Sequence, residues 1–186
     1  MNQGTKTMKT ATALSLILAA ATLSACSGTA TVPPATKAQA HLDAIADADI
    51  AAPATAVMPV AGTAMYAGTF GIGSALEPNT FAVGDATIQA DFAAGTLNGT
   101  AGNFIYGVTD GGGFVGAAVE MEGDLTLAGG FVGTDGLLGV DGMLDGEATT
   151  GLMMTQFKGD NAETLLGLGT GQVSGADVNL YLTVDQ

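Results

Sequence analysis

Positively charged residues, cysteine and aromatic side chains are scarce in this 186-residue chain. It contains four lysines, no arginine, one histidine, one cysteine and no tryptophan. A single cysteine excludes an internal disulfide framework. A formal net charge of −14 argues against nucleic acid as a partner, because such a surface repels a phosphate backbone. The lone histidine, His41, precedes the region of predicted strands, so no Ser–His–Asp triad can form there, and we expect no enzymatic activity.

What is abundant is glycine, with 29 residues, in a chain that is 47% hydrophobic and only 12% charged. Glycine weakens the interior of a helix but suits tight turns between strands. The composition therefore favours many short strands over a helical bundle. The acidic residues keep such an apolar chain in solution and do not by themselves identify a partner.

The first 26 residues consist of a positively charged start, an apolar run and a short motif that ends in the only cysteine. Two lysines in "MNQGTKTMKT" precede the apolar run "ATALSLILAAATL", which is too short to span a bilayer comfortably. The following "LSAC" resembles the lipobox of bacterial lipoproteins. The resemblance implies a signal peptide over 1–25, recognition positions Leu23, Ser24 and Ala25, and a lipid attached to Cys26. The alternative is an ordinary secretory signal followed by a chance cysteine.

Residues 26–61 are rich in alanine, threonine and proline, which predicts a flexible tether between the lipid and a folded domain. The segment "KAQAHLDAIADADI" could form a short helix, but its apolar stripe, Leu42 and Ile45, is narrow. We expect His41 to be a solvated residue of this tether. Ser27 follows the cysteine where some lipoproteins carry aspartate, which favours the outer membrane by analogy with enteric bacteria.

From residue 62 onward, apolar residues alternate with polar ones or glycine, which predicts antiparallel strands with one buried face. Turn signals such as "TDGGG", "EGD" and "KGDN" separate the strands, and no long helix is expected after Gly62. The spacing is typical of a meander that closes into a barrel or a sandwich. The residues expected on buried faces are Ala86, Ile88, Ala90 and Phe92; Phe104, Tyr106 and Val108; Val115, Ala117, Val119 and Met121; and Val178, Leu180, Leu182 and Val184.

Two groups of carboxylates raise chemical alternatives. "GTDGLLGVDGMLDGE" contains Asp135, Asp141 and Asp145, which could hold a weak calcium site, although turn chemistry accounts for the repeat better. Glu120 and Glu122 lie two residues apart on one strand, a spacing compatible with acid–base work, although an exposed outer face explains them more simply.

Four segments of the predicted domain form an ordered series of motifs: "AMYAGTFGIGS", "GDATIQADFAAGTLNGTAGNF", "GGFVGAAVEMEGDLTLAGGFVG" and "QFKGDNAETLLGLGTG". They resemble the β-barrel domain of transferrin-binding-protein-B-like surface lipoproteins. The matching positions are Tyr66 and Gly68, Asp91 and Phe92, Gly95 to Thr100, and Phe157, Gly159, Ala162 and Glu163. The resemblance implies an all-β, eight-stranded antiparallel up-and-down barrel over 62–186, without the second lobe or handle domain of the transferrin-capturing members.

The resemblance further implies an outer-membrane-anchored lipoprotein whose barrel binds a protein or a small solute, in nutrient or iron acquisition. We expect a monomer held to the membrane through its N-terminal lipid, with no cofactor and no metal. Haem ligation by Tyr66, Tyr106 or Tyr181 is a further alternative, although packed tyrosines are commoner. The other functional hypotheses are a structural, acidic envelope lipoprotein without a dedicated ligand, and an integral outer-membrane barrel.

Overall fold

The computed structural model describes residues 32–48, 52–77, 79–110 and 113–186. These residues form one helix followed by eight strands. The elements are α1 (Pro34–Asp47), β1 (Thr63–Ser74), β2 (Thr80–Asp91), β3 (Thr96–Thr109), β4 (Phe114–Val132), β5 (Asp135–Leu144), β6 (Glu147–Lys158), β7 (Thr164–Val173) and β8 (Ala176–Asp185).

The eight strands close into a barrel in which every strand pairs antiparallel with its neighbours in sequence. Closure comes from β1, which pairs with β2 through Gly68 and Ala86 and with β8 through Gly68 and Val184. Closing the sheet leaves no unpaired edge strand. The predicted eight-stranded up-and-down barrel is therefore confirmed.

Two of the hairpins turn in two residues. The predicted turn "EGD" is wrong, because residues 122–124 lie within the long strand β4. Asp145 and Gly146 connect β5 to β6 with φ angles of 50° and 78°. Ser174 and Gly175 connect β7 to β8 with φ angles of 51° and 83°. Left-handed conformations at both positions define the type I′ turn, whose twist matches that of antiparallel strands.

The inside of the barrel is filled by apolar side chains from every strand. The alternation predicted for β2 and β8 is confirmed, since Ala86, Ile88 and Ala90 are buried, as are the four inward residues of β8 from Val178 to Val184. This apolar interior differs from the polar interior of an integral outer-membrane barrel. None of the helices in the described part of the chain is long and apolar enough to cross a bilayer.

One end of the barrel, which we call the closed end, is sealed by aromatic rings. The ring centroid of Phe157 lies 5.9 Å from that of Tyr66, 5.9 Å from that of Phe92 and 5.0 Å from that of Phe131. The segment that precedes β1 lies across this end, where the Thr55 amide donates to the Phe157 carbonyl. Ring pairs of this geometry stabilise a core beyond the area they bury.

The opposite end, which we call the mouth, departs from the predicted burial. Residues 114–122 of β4 extend past Gly123, the first β4 residue that pairs with β5. The predicted burial of Val115, Ala117 and Val119 is wrong, because all three are exposed, whereas Met121 packs against the core. The three residues are exposed because this part of β4 extends beyond the end of β5.

Helix α1 is packed against the outer wall of the barrel, so this part of the predicted tether is ordered. Pro34 opens the helix at a position that suits proline. Ala38 is fully buried against Val83 and Ile105, and partly buried residues pack around them: Leu42, Ile45, Phe81, Phe114 and Ala118. The Phe114 amide donates to Gln39 Oε1 over 3.0 Å.

A missing side chain on the barrel makes room for this helix. A Cβ at Gly71 would lie 2.7 Å from Ile45 Cδ1, so a larger residue there would push the end of the Ile45 side chain out of its present position. The few apolar residues of α1 are enough to pack the helix on the barrel, because the wall beneath Ile45 carries no side chain at Gly71.

Candidate functional site

The residues expected to carry the lipid, Leu23, Ser24, Ala25 and Cys26, lie outside the described residues. Their assignment stays a prediction from the sequence.

The three aspartates of the calcium alternative are not brought together. Asp135 begins β5, Asp141 lies in the same strand, and Asp145 lies in the following turn. A strand rises about 3.3 Å per residue, which separates Asp135 from Asp141 by roughly 20 Å. Among the described residues there is no group of three or more side chains arranged to hold a metal ion. This alternative is wrong for these residues.

Glu120 and Glu122 are both exposed on β4. They line a polar depression of about 750 Å³ beside α1, together with Lys37, His41 and Asp85. Such exposure is expected of side chains on an outer face, whereas carboxylates that do acid–base work are usually held in a partly buried site.

His41 is not the solvated residue that the sequence predicted. Its Nδ1 lies 2.7 Å from Thr69 Oγ1, and its Nε2 lies 3.6 Å from Asp85 Oδ1. Burial between α1 and the barrel wall lowers the pKa of His41, while the Asp85 carboxylate opposes and Lys37 reinforces that shift. The sequence missed this position because the contact joins residues 28 apart, across a helix and a strand whose packing no local pattern reveals.

The three tyrosines occupy three separate places, so they do not form a common ligand set. Tyr66 is buried at the closed end, where its hydroxyl donates to the Ala162 carbonyl over 2.6 Å. Burial, with a contribution from Glu163, raises the pKa of Tyr66 to about 12. Tyr66 is thus held as a neutral donor. Tyr106 lies at the mouth, and Tyr181 lies on the outer wall against Phe81.

The strongest candidate for ligand contact is an apolar surface at the mouth. Four residues of β3 and β4 form it, and we call them the mouth cluster: Tyr106, Val108, Val115 and Val119. Tyr106 pairs with Val119, and Val108 pairs with Val115. Cross-strand partners project to the same side of a sheet, so the four side chains form one surface.

The mouth cluster continues the inward face of the barrel wall. Phe104, two residues before Tyr106, lies in the core, and its partner Met121 packs against that core. Beyond this pair the same face is uncovered, with Tyr106 39% and Val119 56% exposed. The sequence predicted these residues as core because alternation identifies a face. Alternation does not reveal that β4 extends beyond the last residue of β5 with which it pairs.

Comparisons with known proteins found similarity in structure only. No family model and no curated protein matches the sequence. The structure is similar to transferrin-binding protein B from Haemophilus parasuis Hp5, with 19% identity over 73% of this chain and 28% of that chain, and a TM-score of 0.45. It is also similar to intact Ap-TbpB, which comprises N and C lobes, with 16% identity, the same coverage and a TM-score of 0.44.

The chain thus spans less than a third of the length of these proteins. They are the proteins whose barrel domain the sequence motifs resemble.

Proposed function

We propose that this protein is an outer-membrane lipoprotein, anchored through Cys26, whose barrel binds a protein or a small solute at the mouth cluster. The observation that carries the proposal is the mouth cluster itself: four apolar side chains on an inward-facing surface that the barrel does not cover. The wider role is in nutrient or iron acquisition.

The chemistry of the mouth cluster suits ligand contact. Barrel mouths are frequent ligand sites, and exposed apolar surface on an otherwise polar protein marks interaction surfaces. Tyrosine is enriched among residues that dominate binding energy because it combines a large apolar ring with a hydroxyl. Three valines around Tyr106 would exclude water from its ring once a ligand covers them.

The anchor rests on the lipobox resemblance. A lipoprotein of this kind carries several acyl chains on its N-terminal cysteine, and about 0.8 kcal/mol per buried methylene makes such attachment effectively permanent. The prediction is tested by growing cells with labelled palmitate. We expect label in the wild-type protein and none in Cys26→Ser, whereas equal labelling of both would refute the anchor.

Ligand binding is tested on intact cells with a photo-crosslinking amino acid. Placed at position 119 in the mouth cluster, it should trap a ligand. The matched control is position 100, where Thr100 is exposed on β3 and paired with Thr126 outside the mouth cluster, and it should trap none. The same products at both positions, or none at position 119, would leave the structural envelope lipoprotein as the better hypothesis.

Transferrin is the first defined ligand to test, since the sequence motifs resemble transferrin-binding proteins. If it binds at the mouth cluster, Tyr106→Ala should weaken the affinity by about tenfold or more, as expected for a central aromatic contact. Isothermal titration calorimetry measures that change. An unaltered affinity would place any binding elsewhere.

A further inference from the structure

A second apolar surface lies on the outer wall of the barrel, away from the mouth. Its side chains form a row across four strands, in which Leu137 pairs with Met154, Met154 with Leu168, and Leu168 with Tyr181. Strands lie about 4.8 Å apart, so the row is roughly 14 Å long. We call these residues, with the adjacent Leu152, the wall patch. Met154 is 74% and Leu152 is 52% exposed.

The wall patch is free of acidic residues although the chain has 18 of them. The core residues Met153, Phe157 and Leu165 fix which positions of β6 and β7 point outward. Those outward positions carry no carboxylate: Ala148, Thr150, Leu152, Met154, Gln156 and Lys158 on β6, and Thr164, Leu166, Leu168, Thr170 and Gln172 on β7.

Carboxylates surround the wall patch on the two flanking strands. Asp135 and Asp141 of β5 and Asp177 and Asp185 of β8 are all exposed. Neutral donors hold three of them in place: Gln156 Nε2 donates to Asp135 over 2.7 Å, Gln172 Nε2 to Asp177 over 3.1 Å, and Thr164 Oγ1 to Asp185 over 2.7 Å. These contacts orient the carboxylates without neutralising their charge.

A groove deepens the wall patch where it meets the end of α1. The groove has a volume of about 660 Å³, and its apolar lining includes Ile45, Met154, Leu166, Leu168 and Tyr181. Lys158, at its edge, is buried and donates to the Ala52 carbonyl over 2.7 Å. The space is large enough to take apolar side chains of a partner.

The neighbouring wall shows how such a surface is covered. There α1 lays Ala38, Leu42 and Ile45 over apolar residues of the strands. In the described part of the chain, no comparable element covers the wall patch, as the exposure of Met154 and Leu152 shows. An amphipathic helix is thus a shape that this barrel already accepts on its outside.

We propose that the wall patch binds a basic amphipathic helix of a partner protein, whose apolar face enters the groove and whose lysines or arginines meet the four aspartates. An apolar centre with a charged rim is the usual anatomy of an interface. The acidic rim and the net charge of −14 attract a cationic partner and speed its arrival. A second copy would oppose the same acidic rim, and an anionic lipid would be repelled.

The probe is a synthetic, fluorescently labelled helical peptide with leucines on one face and lysines on the other, titrated into the protein lacking residues 1–25 and followed by anisotropy. Met154→Gln and Leu168→Gln should each weaken binding about tenfold. Asp141→Asn and Asp177→Asn should weaken it and reduce its salt dependence. The matched controls, Thr100→Gln and Glu120→Gln, replace exposed residues of β3 and β4, which contribute neither to the wall patch nor to its acidic rim, and should change affinity less than twofold.

Four outcomes would overturn the proposal. Equal binding of a peptide with glutamate in place of lysine would show that the charge of the partner is irrelevant. Equal binding of a scrambled lysine peptide would show that the separation of leucines and lysines onto two helix faces is irrelevant. Control variants that weaken binding as much as the patch variants would place the contact elsewhere. Sedimentation of a dimer that Met154→Gln dissociates would assign the wall patch to a second copy. Tyr106→Ala should leave peptide binding unchanged, which separates this surface from the mouth cluster.

Discussion

Replacing Phe157 by alanine tests whether the aromatic seal at the closed end holds the barrel together. Phe157 is fully buried, and its ring contacts those of Tyr66, Phe92 and Phe131. Truncation of a buried phenylalanine to alanine costs about 3–5 kcal/mol, since it removes apolar contacts and leaves a cavity. At roughly 2–4 °C per kcal/mol for a chain of this size, the melting temperature should fall by roughly 6–20 °C.

The assay is urea unfolding of the protein lacking residues 1–25, followed by circular dichroism. The free energy of unfolding should drop by the amount above, whereas Val132→Ala, at an exposed position of the same end, should change it by less than about 0.5 kcal/mol. Should Phe157→Ala fail to fold, Phe157→Leu retains most of the buried carbon and should show less than half the loss. A loss below about 1 kcal/mol for Phe157→Ala would refute the claim that these rings seal the barrel.

Two further predictions concern α1 and the turns. Burial lowers the pKa of His41, so the released helix binds the proton more tightly than the docked one. Docking of α1 should therefore be complete above pH 6.5 and weaken as the pH falls from 6.5 toward the lower pKa of the docked state, with Asp85 limiting the effect. Amide hydrogen exchange of α1 at pH 7.5 and 5 measures this, and persistence of the same pH dependence in His41→Gln would contradict it. Gly146→Ala should cost about 1–2 kcal/mol, because a side chain at φ 78° is strained although nothing lies within 4 Å. Thermal unfolding should show an equal loss for Gly175→Ala at the equivalent turn, and an unchanged stability in both would contradict the argument.

The strands could be predicted because their signal is local. The inward residues Ala86, Ile88 and Ala90 of β2 are two positions apart, as are those of β8 from Val178 to Val184, and the turn residues that separate strands impose their own φ angles. Barrel closure was reached through the resemblance to a known family. Periodicity alone left a barrel and a sandwich open, since a period of two describes a strand's faces and not which strand lies beside it.

The sequence suggested a short helix but could not show where α1 packs, because its contacts are with barrel residues that lie far away in the sequence. Its own apolar residues are few, and the sequence of the helix does not show that Gly71 leaves space for Ile45. His41 was misassigned for the same reason, since its partner Thr69 lies on β1.

The mouth cluster was predicted as apolar and placed on the correct strand face, but its exposure was missed. Exposure depends on the difference in length between β4 and β5, which is a property of two strands and their register.

The pairing of the strands places the two proposed surfaces on different parts of the barrel. The mouth cluster lies on β3 and β4, facing inward, whereas the wall patch lies on β5 to β8, facing outward. No strand contributes to both, so a substitution at Val119 and one at Met154 should act independently. Acidic residues occur on either side of the wall patch but not within it. The absence of carboxylates from their outward positions does not by itself set β6 and β7 apart, because β1 and β3 contain none either. What sets β6 and β7 apart is the group of exposed apolar side chains at Leu152, Met154 and Leu168, which the proposed partner helix would cover.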